Sequence, residues 1–375
     1  MKAKILDTPE SYEMLSLNPN KIEKWEDQRR GTSAKGQWEW WYFDAILDDG
    51  TTIVIQDFTK QLKNIQQAGD YPAVQIKITL ADGTKYVDQL FYDAEDSQFK
   101  NGQCDVVIGP HYFKGDFSDY DIHVEAINGI GATLHLHSLS QPYRPKTGYW
   151  EFPNEDKTSD FYTWLCSVPK GKVTGTITIN GAEKQVTGSG YHDHQWGSNV
   201  YMQLWNHWLW ARQGFDDYSL LVFDLTANEK YGAAHFPVVF IQNSDGETIF
   251  ESDGPAECDI LEEYKDSKSG KFYPRKLKYT FKSGKQQVEY TVEEKEILEN
   301  TVPAKDMAPV VQKMFASMNL YPSYSRYKAA GNLIIKGPES EIARNGELIY
   351  EFMYPGLDYN NGQRITSNQN TDYSK

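Results

Sequence analysis

Trp40 and Trp208 stand 168 residues apart, and the same offset carries Tyr42 onto Trp210, Asp48-Asp49 onto Asp216-Asp217, and the apolar run Ile53-Val54-Ile55 onto Leu221-Val222-Phe223. A second echo pairs Gly175-Thr-Ile-Thr-Ile-Asn-Gly181 with Gly331-Asn-Leu-Ile-Ile-Lys-Gly337, each followed by a hairpin return. A chain that writes one strand-turn-strand pattern twice is built from two versions of one β unit. The echoes predict β domains over 37–204 and 205–356; the polar, irregular start predicts an N-terminal arm over 1–36, and the polar, Asn-rich end a tail over 357–375. A length of 375 residues suits two domains of roughly 100–200 residues each.

The local pattern agrees. Runs rich in Val, Ile, Thr, Tyr and Phe alternate with turn signals at Asp48-Asp49-Gly50, Ala81-Asp82-Gly83 and Asn180-Gly181, the signature of β-hairpins. Hairpins are predicted from Val74 to Leu80 with Lys85 to Phe91, and from Thr174 to Asn180 with Lys184 to Tyr191. The best helical window is short and late, Ala308 to Leu320. A parallel sheet needs helical crossovers, so the fold class is all-β, two antiparallel barrel- or sandwich-like domains in tandem.

Charge and punctuation narrow the function. Fifty-three acids against thirty-eight bases give −15, which repels phosphate backbones and anionic lipid, so nucleic acid is not an expected partner. No window approaches the ~18 apolar residues of a membrane-spanning helix, and the start breaks into polar residues too early for a secretory signal, so a cytoplasmic location is expected. Cys104, Cys166 and Cys258 are odd in number and widely spaced, offering neither a disulfide framework nor a CxxC site. The sequence has no GxSxG elbow, P-loop, GxGxxG fingerprint or HExxH, which leaves chemistry without a cofactor, or plain binding.

Seven of the ten tryptophans fall in two windows, Trp38, Trp40 and Trp41, then Trp196, Trp205, Trp208 and Trp210. Aromatic walls with a few polar groups describe a pocket for an apolar ligand; sealing of barrel ends is the plainer use. The densest cluster of titratable groups is Gly188-Ser-Gly-Tyr-His-Asp-His-Gln-Trp-Gly197. Strand alternation puts Tyr191, Asp193 and Gln195 on one face, opposite His192, His194 and Trp196. In aromatic surroundings Asp193 would be desolvated and kept protonated as a general acid, with Tyr191 and the histidines as partners; the alternative is a hydrogen-bonded knot tying strands together. His192-x-His194 and His135-x-His137 each place two imidazoles on one face, but a third ligand from His207, His111 or Glu39 is not fixed by spacing, so no metal is assigned.

Trp38-Glu-Trp-Trp-Tyr-Phe43 followed by Gly188-x-Gly-Tyr-x-Asp-His-Gln-Trp-Gly197 resembles the carotenoid 1,2-hydratase (hydroxyneurosporene synthase) and AttH-like family over most of the chain. The resemblance implies two lipocalin-like domains and a cofactor-independent lyase or cyclase, since the family and its relatives include hydratases of isoprenoid double bonds and fungal cyclases of the Diels–Alderase type. By motif it makes Asp193 and Tyr191 the acid pair, with Trp164 in the preceding strand. The expected site has Asp193, Tyr191 and His194 as catalytic groups in a pocket between the domains. Trp38, Glu39, Trp40, Tyr42, Trp164, His192, Trp196, Trp205, Trp208 and Trp210 are its expected substrate-binding residues. In the second half the position echoing Asp193 is Phe352, with Glu351 adjacent. The expected partner is a hydrophobic, unsaturated small molecule, hydrated, cyclised or, in the rival reading, merely carried.

Overall fold

Two antiparallel sheets account for nearly all regular structure, one in each of two units, Lys4–Val200 and Met1–Ala3 with Tyr201 onward. The computed structural model describes residues 1–252, 256–306, 309–318 and 320–356; the polar tail expected at 357–375 lies outside the described residues.

The first unit contains β1 (Lys4–Ile5), α1 (Pro9–Met14), β2 (Gln37–Leu47), β3 (Thr52–Phe58), β4 (Ala73–Thr79), β5 (Lys85–Phe91), β6 (Ser97–Phe99), β7 (Cys104–Ile108), β8 (His111–Gly115), β9 (Asp119–Val124), β10 (Ile130–Ser138), β11 (Tyr149–Pro153), β12 (Ser159–Ile179) and β13 (Ala182–Ser198). Its sheet runs β5-β4-β3-β2-β13-β12-β10-β9-β8-β7-β6, with β11 on β12 and β1 on β11. The sheet curls into a half-barrel whose inner face is one hydrophobic cluster. Trp41, Phe43, Ala45 and Leu47 of β2 meet Ile53 and Ile55 of β3, Val106 and Ile108 of β7, and Leu134 and Leu136 of β10. The period-2 burial of β3 shows why these residues form a half-buried strand.

The long strand β12 changes neighbours part way. Its start pairs with β11 and its end with β10, and its register to β13 slips between Leu165 and Val168 and again before Gly171. A bulge of this kind bends a strand and re-aims its side chains. A side chain at Gly171 would put its Cβ 2.5 Å from Leu136 Cδ1 and 2.9 Å from the His137 carbonyl, so glycine is required where the strand bends.

The second unit contains α2 (Tyr201–Leu204), β14 (Trp205–Gly214), β15 (Tyr218–Ala227), β16 (His235–Asn243), β17 (Thr248–Glu251), β18 (Glu257–Lys265), β19 (Phe272–Ser283), β20 (Gln286–Thr301), α3 (Pro309–Ser317), β21 (Ser323–Lys336) and β22 (Glu341–Tyr354). The order is β17-β16-β15-β14-β22-β21-β20-β19-β18. The helix expected at Ala308 to Leu320 is α3.

The topology gives the sequence echo its meaning. The order β3-β2-β13-β12 recurs as β15-β14-β22-β21, so both echoing pairs occupy matching places. The echo is not ungapped, however. Phe43 pairs with Ile55 and Ala45 with Ile53, whereas Ala211 pairs with Val222 and Gln213 with Leu220. The second hairpin is therefore one residue shorter, and Ile53 corresponds to Leu220 rather than Leu221. Burial agrees, because Leu220 and Val222 belong to the second core cluster as Ile53 and Ile55 belong to the first.

Phe43 is 0% exposed in the first core. Phe43→Ala is expected to lose about 3–5 kcal/mol through burial and cavity, lowering the urea midpoint. Val87→Ala, at a position 55% exposed, should stay within about 0.5 kcal/mol.

Candidate active site

The Tyr191 to Trp196 stretch lies in β13 between β2 and β12, so its side chains divide between two faces of the sheet. Register places Tyr191 opposite Asp44, Asp193 opposite Tyr42 and Gln195 opposite Trp40 on one face, and His192 opposite Phe43, His194 opposite Trp41 and Trp196 opposite Glu39 on the other. Directly paired residues share a face, so the predicted site is split by geometry.

On the first face Asp193 is 3% exposed and held by three donors. Its Oδ2 accepts from the Tyr191 hydroxyl at 2.8 Å and the Trp164 indole N–H at 3.0 Å. Its Oδ1 accepts from the Gln195 amide at 3.0 Å, and Gln195 is fixed in turn by the Tyr162 hydroxyl at 2.5 Å. Trp164 lies just before the β12 bulge. Burial pushes the Asp193 carboxyl above the usual carboxylate range, and the bonds from Gln195, Trp164 and Tyr191 offset this only in part. The Tyr191 phenol, buried beside that carboxyl, is pushed well up and remains a neutral hydroxyl.

Aromatic rings frame the carboxyl. Trp38 and Trp40 stack at 4.4 Å, Tyr162 lies 5.9 Å from Trp38, and Tyr42 meets Tyr191 edge-on at 6.3 Å. If Asp193 is protonated, the Tyr191 hydroxyl can turn from donor to acceptor. The arrangement can therefore hold a proton, release it, and receive another through Tyr191.

The second face departs from expectation. His192 and His194 do not join Asp193; their alternation carries them to the inner face, where they meet acids from elsewhere in the unit. His192 Nδ1 donates to the Tyr42 carbonyl at 2.9 Å and its Nε2 lies 3.0 Å from Asp27 Oδ2. His194 lies between Glu39 Oε1 at 2.7 Å and Asp27 Oδ1 at 3.3 Å, with Trp41 stacked on it at 4.6 Å. Glu39 also accepts from the Arg30 and Gly31 amides at 2.6 and 2.8 Å, and Asp27 accepts from the Tyr120 hydroxyl at 2.6 Å. His192, His194 and Glu39 thus form a buried clamp with Asp27, on the face of β13 opposite Asp193. Trp196 shares this face, 4.7 Å from the His194 ring.

Burial pushes His194 down, but hydrogen bonds and charge from Asp27 and Glu39 outweigh it and hold its pKa above the ordinary value. Burial pushes Asp27 up, and His192 and His194 more than reverse that. Sequence reading missed Asp27, because it lies in a charge-dense stretch that reads as a solvated arm. The available signal was Glu23-x-x-Glu26, whose capping box closes the 3₁₀ turn Lys24–Asp27.

Among the described residues, Asp27, Cys104 and His192 offer three buried donor atoms within 4.8 Å of one another. All three are already engaged, Cys104 with the Phe113 carbonyl at 3.5 Å. His135 and His137 are bound to Asp121 and Asp119, each at 2.8 Å.

Trp205, Trp208 and Trp210 stand on β14 of the second unit. Trp205 is buried against Phe236 at 6.1 Å and Trp208 lies 6.3 Å from Tyr201. The counterpart of Asp193 there is corrected. Trp210, the echo of Tyr42, pairs with Glu351, while Phe352 pairs with Leu209. The second unit therefore keeps an acid at that place, but with Arg326 at 3.6 Å.

Residues 28–302 match the profile of a family described as AttH-like. The chain is 28% identical over 205 residues to the quinolone epoxide rearrangement protein asqO of Emericella nidulans, a match covering 51% of this chain and 54% of that protein. It is 24% identical over 274 residues to the Diels-Alderase ucsH of Acremonium sp, covering 68% and 64%. The chain thus spans between about half and two thirds of the length of these curated relatives. The crystal structure of kievitone hydratase from Nectria haematococca shares the fold at TM-score 0.51 and 12% identity, covering 86% of this chain and 90% of that one.

The clamp predicts a pH signature. A histidine whose folded pKa is raised contributes stability that is fully present below its unfolded value, about 6.5, and is lost as pH rises through the folded value. The denaturation midpoint of wild type minus that of His194→Asn should therefore shrink as pH rises above about 6.5. A pH-independent difference would show that His194 is not held charged.

Proposed function

The chain belongs to the AttH-like family, and from that premise we propose that its first unit carries a cofactor-independent acid site acting on a hydrophobic, unsaturated small molecule. The observation that carries the reading is Asp193, a carboxyl buried among aromatic rings and pushed up by desolvation, with the hydroxyl of Tyr191 on one of its oxygens. The relatives named for epoxide rearrangement, Diels–Alder cyclisation and hydration support an enzyme of the cyclase or hydratase type.

In the hydration version, the kind carried out by carotenoid 1,2-hydratases, Asp193 gives its proton to an alkene carbon and becomes a carboxylate. The cation that forms on the neighbouring carbon is sheltered by the ring faces of Trp38, Trp40 and Tyr42, worth roughly 0.5–2 kcal/mol each. Water adds to the cation and passes a proton to the Tyr191 oxygen as the Tyr191 proton returns to Asp193, restoring the acid. In the rearrangement version the same proton goes to an epoxide oxygen, the C–O bond breaks, and the rearranged cation loses a proton to the Tyr191 oxygen as the Tyr191 proton returns to the Asp193 carboxylate, which closes the cycle. In a cyclisation without proton transfer, the aromatic face only holds a polyene in its reactive conformation. The reading gives His194, which lies on the other face of β13, no part in these steps.

The test is turnover of a panel of prenylated, epoxidised and polyene aromatic compounds, followed by mass spectrometry. Gain of one water marks hydration, and a product of unchanged mass marks rearrangement or cyclisation. Asp193→Asn, nearly isosteric, should lower turnover by about 10²–10⁴-fold, and wild-type rate should fall on the alkaline side as the raised carboxyl ionises. Normal turnover by a folded Asp193→Asn variant would remove acid chemistry, and recovery of every compound unchanged would favour a carrier.

A further inference from the structure

The arm and strands β11, β12 and β13 line a second feature, whose wall includes Trp164, a donor to Asp193. A cavity of about 170 Å³ lies on the clamp face, bounded by Arg30, Arg144, Thr163, Tyr149, Phe161 and Trp196. Arg144 has an acceptor at each guanidinium nitrogen: its Nε donates to Glu26 Oε2 at 2.8 Å, one terminal nitrogen donates to the Asn18 carbonyl at 2.6 Å, and the other donates to the Lys146 carbonyl. Glu26 spends its other oxygen on the Glu23 amide at 2.9 Å.

Arg30 is different. Its guanidinium is sandwiched between the rings of Trp25 at 4.5 Å and Trp196 at 5.3 Å. Burial pushes its pKa down, which the charges of Glu26 and Glu39 offset only in part, and among the described residues no carboxylate, carbonyl or hydroxyl accepts a hydrogen bond from it. Glu39 is taken by His194 and two backbone amides. Thr163, 3% exposed, has a buried hydroxyl that is likewise without a partner. A buried hydroxyl is costly to leave unpaired, and it and the half-buried Arg30 fork border one cavity.

We propose that this cavity binds a small planar carboxylate, its two oxygens on the Arg30 fork with the Thr163 hydroxyl donating to one of them, and its apolar body against Trp196 and the stacked pair Tyr149 and Phe161, whose rings lie 5.0 Å apart. The guanidinium fork matches carboxylate geometry. A cavity of about 150 Å³ admits a benzene-sized molecule, so the body is one small ring or a short chain. Leu15 and Leu17 of the arm complete the wall, so a bound carboxylate would also fasten the arm.

The probe is benzoate, with benzamide as its neutral counterpart, titrated calorimetrically into the full chain. Benzoate should bind saturably and benzamide at least tenfold more weakly. Arg30→Met, which keeps the stem between the two rings, should weaken benzoate at least tenfold, and Thr163→Val by a smaller factor. Asp193→Asn should leave benzoate binding unchanged, which separates this site from the proposed acid site. Absence of saturable binding, equal affinity for benzamide, wild-type affinity in a folded Arg30→Met variant, or loss of binding in Asp193→Asn would each overturn the assignment.

Discussion

The two-residue period of β13 governs everything built around Tyr191 to Trp196. Because consecutive side chains leave a strand on opposite sides, six residues that read as one cluster serve two environments. Asp193 is turned toward Trp164, Tyr191 and Gln195, while His192 and His194 are turned into the half-barrel. A slip of one residue in the pairing of β13 with β2 would exchange the two sets and bury Asp193 where the clamp stands. The pairing is held through eleven consecutive partners from Gly188 with Leu47 to Ser198 with Gln37. Gly188 and Gly190 permit the close approach, since a Cβ at Gly188 would lie 2.4 Å from the Ile46 carbonyl and one at Gly190 2.5 Å from Val173 Cγ2.

The clamp and the proposed acid depend on one another mechanically. Asp27, at the end of a capped turn, links the arm to β13 through both histidines, and Trp41 adds an indole N–H to the Asp27 carbonyl at 3.0 Å. These bonds fix one face of the strand, and a strand fixed on one face presents the other rigidly. Precise placement of a proton donor requires such support. The two histidines therefore have a part in the proposed chemistry only through position.

Much of this was legible in the sequence. Alternation within Tyr191 to Trp196 separates the faces before any coordinates, and the recurrence of Trp40 at Trp208 announces a doubled β unit. Three things were not legible. A one-residue difference in hairpin length is invisible to an ungapped comparison, so Phe352 rather than Glu351 was matched to Asp193. The acids that pair with His192 and His194 come from 165 and 155 residues away in the chain, and the Glu23-x-x-Glu26 capping box marks a turn at Asp27 without marking its burial. The β12 bulge that brings Trp164 to Asp193 leaves no turn signal in Leu165 to Val168. Local periodicity reports which face a residue takes, whereas partners across the sheet are set by tertiary pairing.

Four aspartates show why Asp193 is the one proposed for proton transfer. Asp27 is surrounded by His192, His194 and Tyr120, so its negative charge is compensated and it keeps no proton to give. Asp224, at the register position in the second unit that corresponds to Asp57, is likewise held low by the charge of His235 and by the Tyr279 hydroxyl, which together outweigh its burial. Asp57 itself lacks such a neighbour; burial pushes it up to about 8, and its Oδ2 has no partner. A proton is retained there, but among the described residues no group is bonded to Oδ2 to replace it once lost. Asp193 combines a carboxyl raised by burial with a hydroxyl and an amide that reach both of its oxygens, and Gln195 continues the chain to Tyr162. Desolvation alone makes a carboxylic acid reluctant to ionise; a hydrogen-bonded relay makes that reluctance usable in a cycle, because the proton given up can be returned. Among these four carboxyls only Asp193 satisfies both conditions, and the difference lies in the strand geometry that turned it away from the histidines.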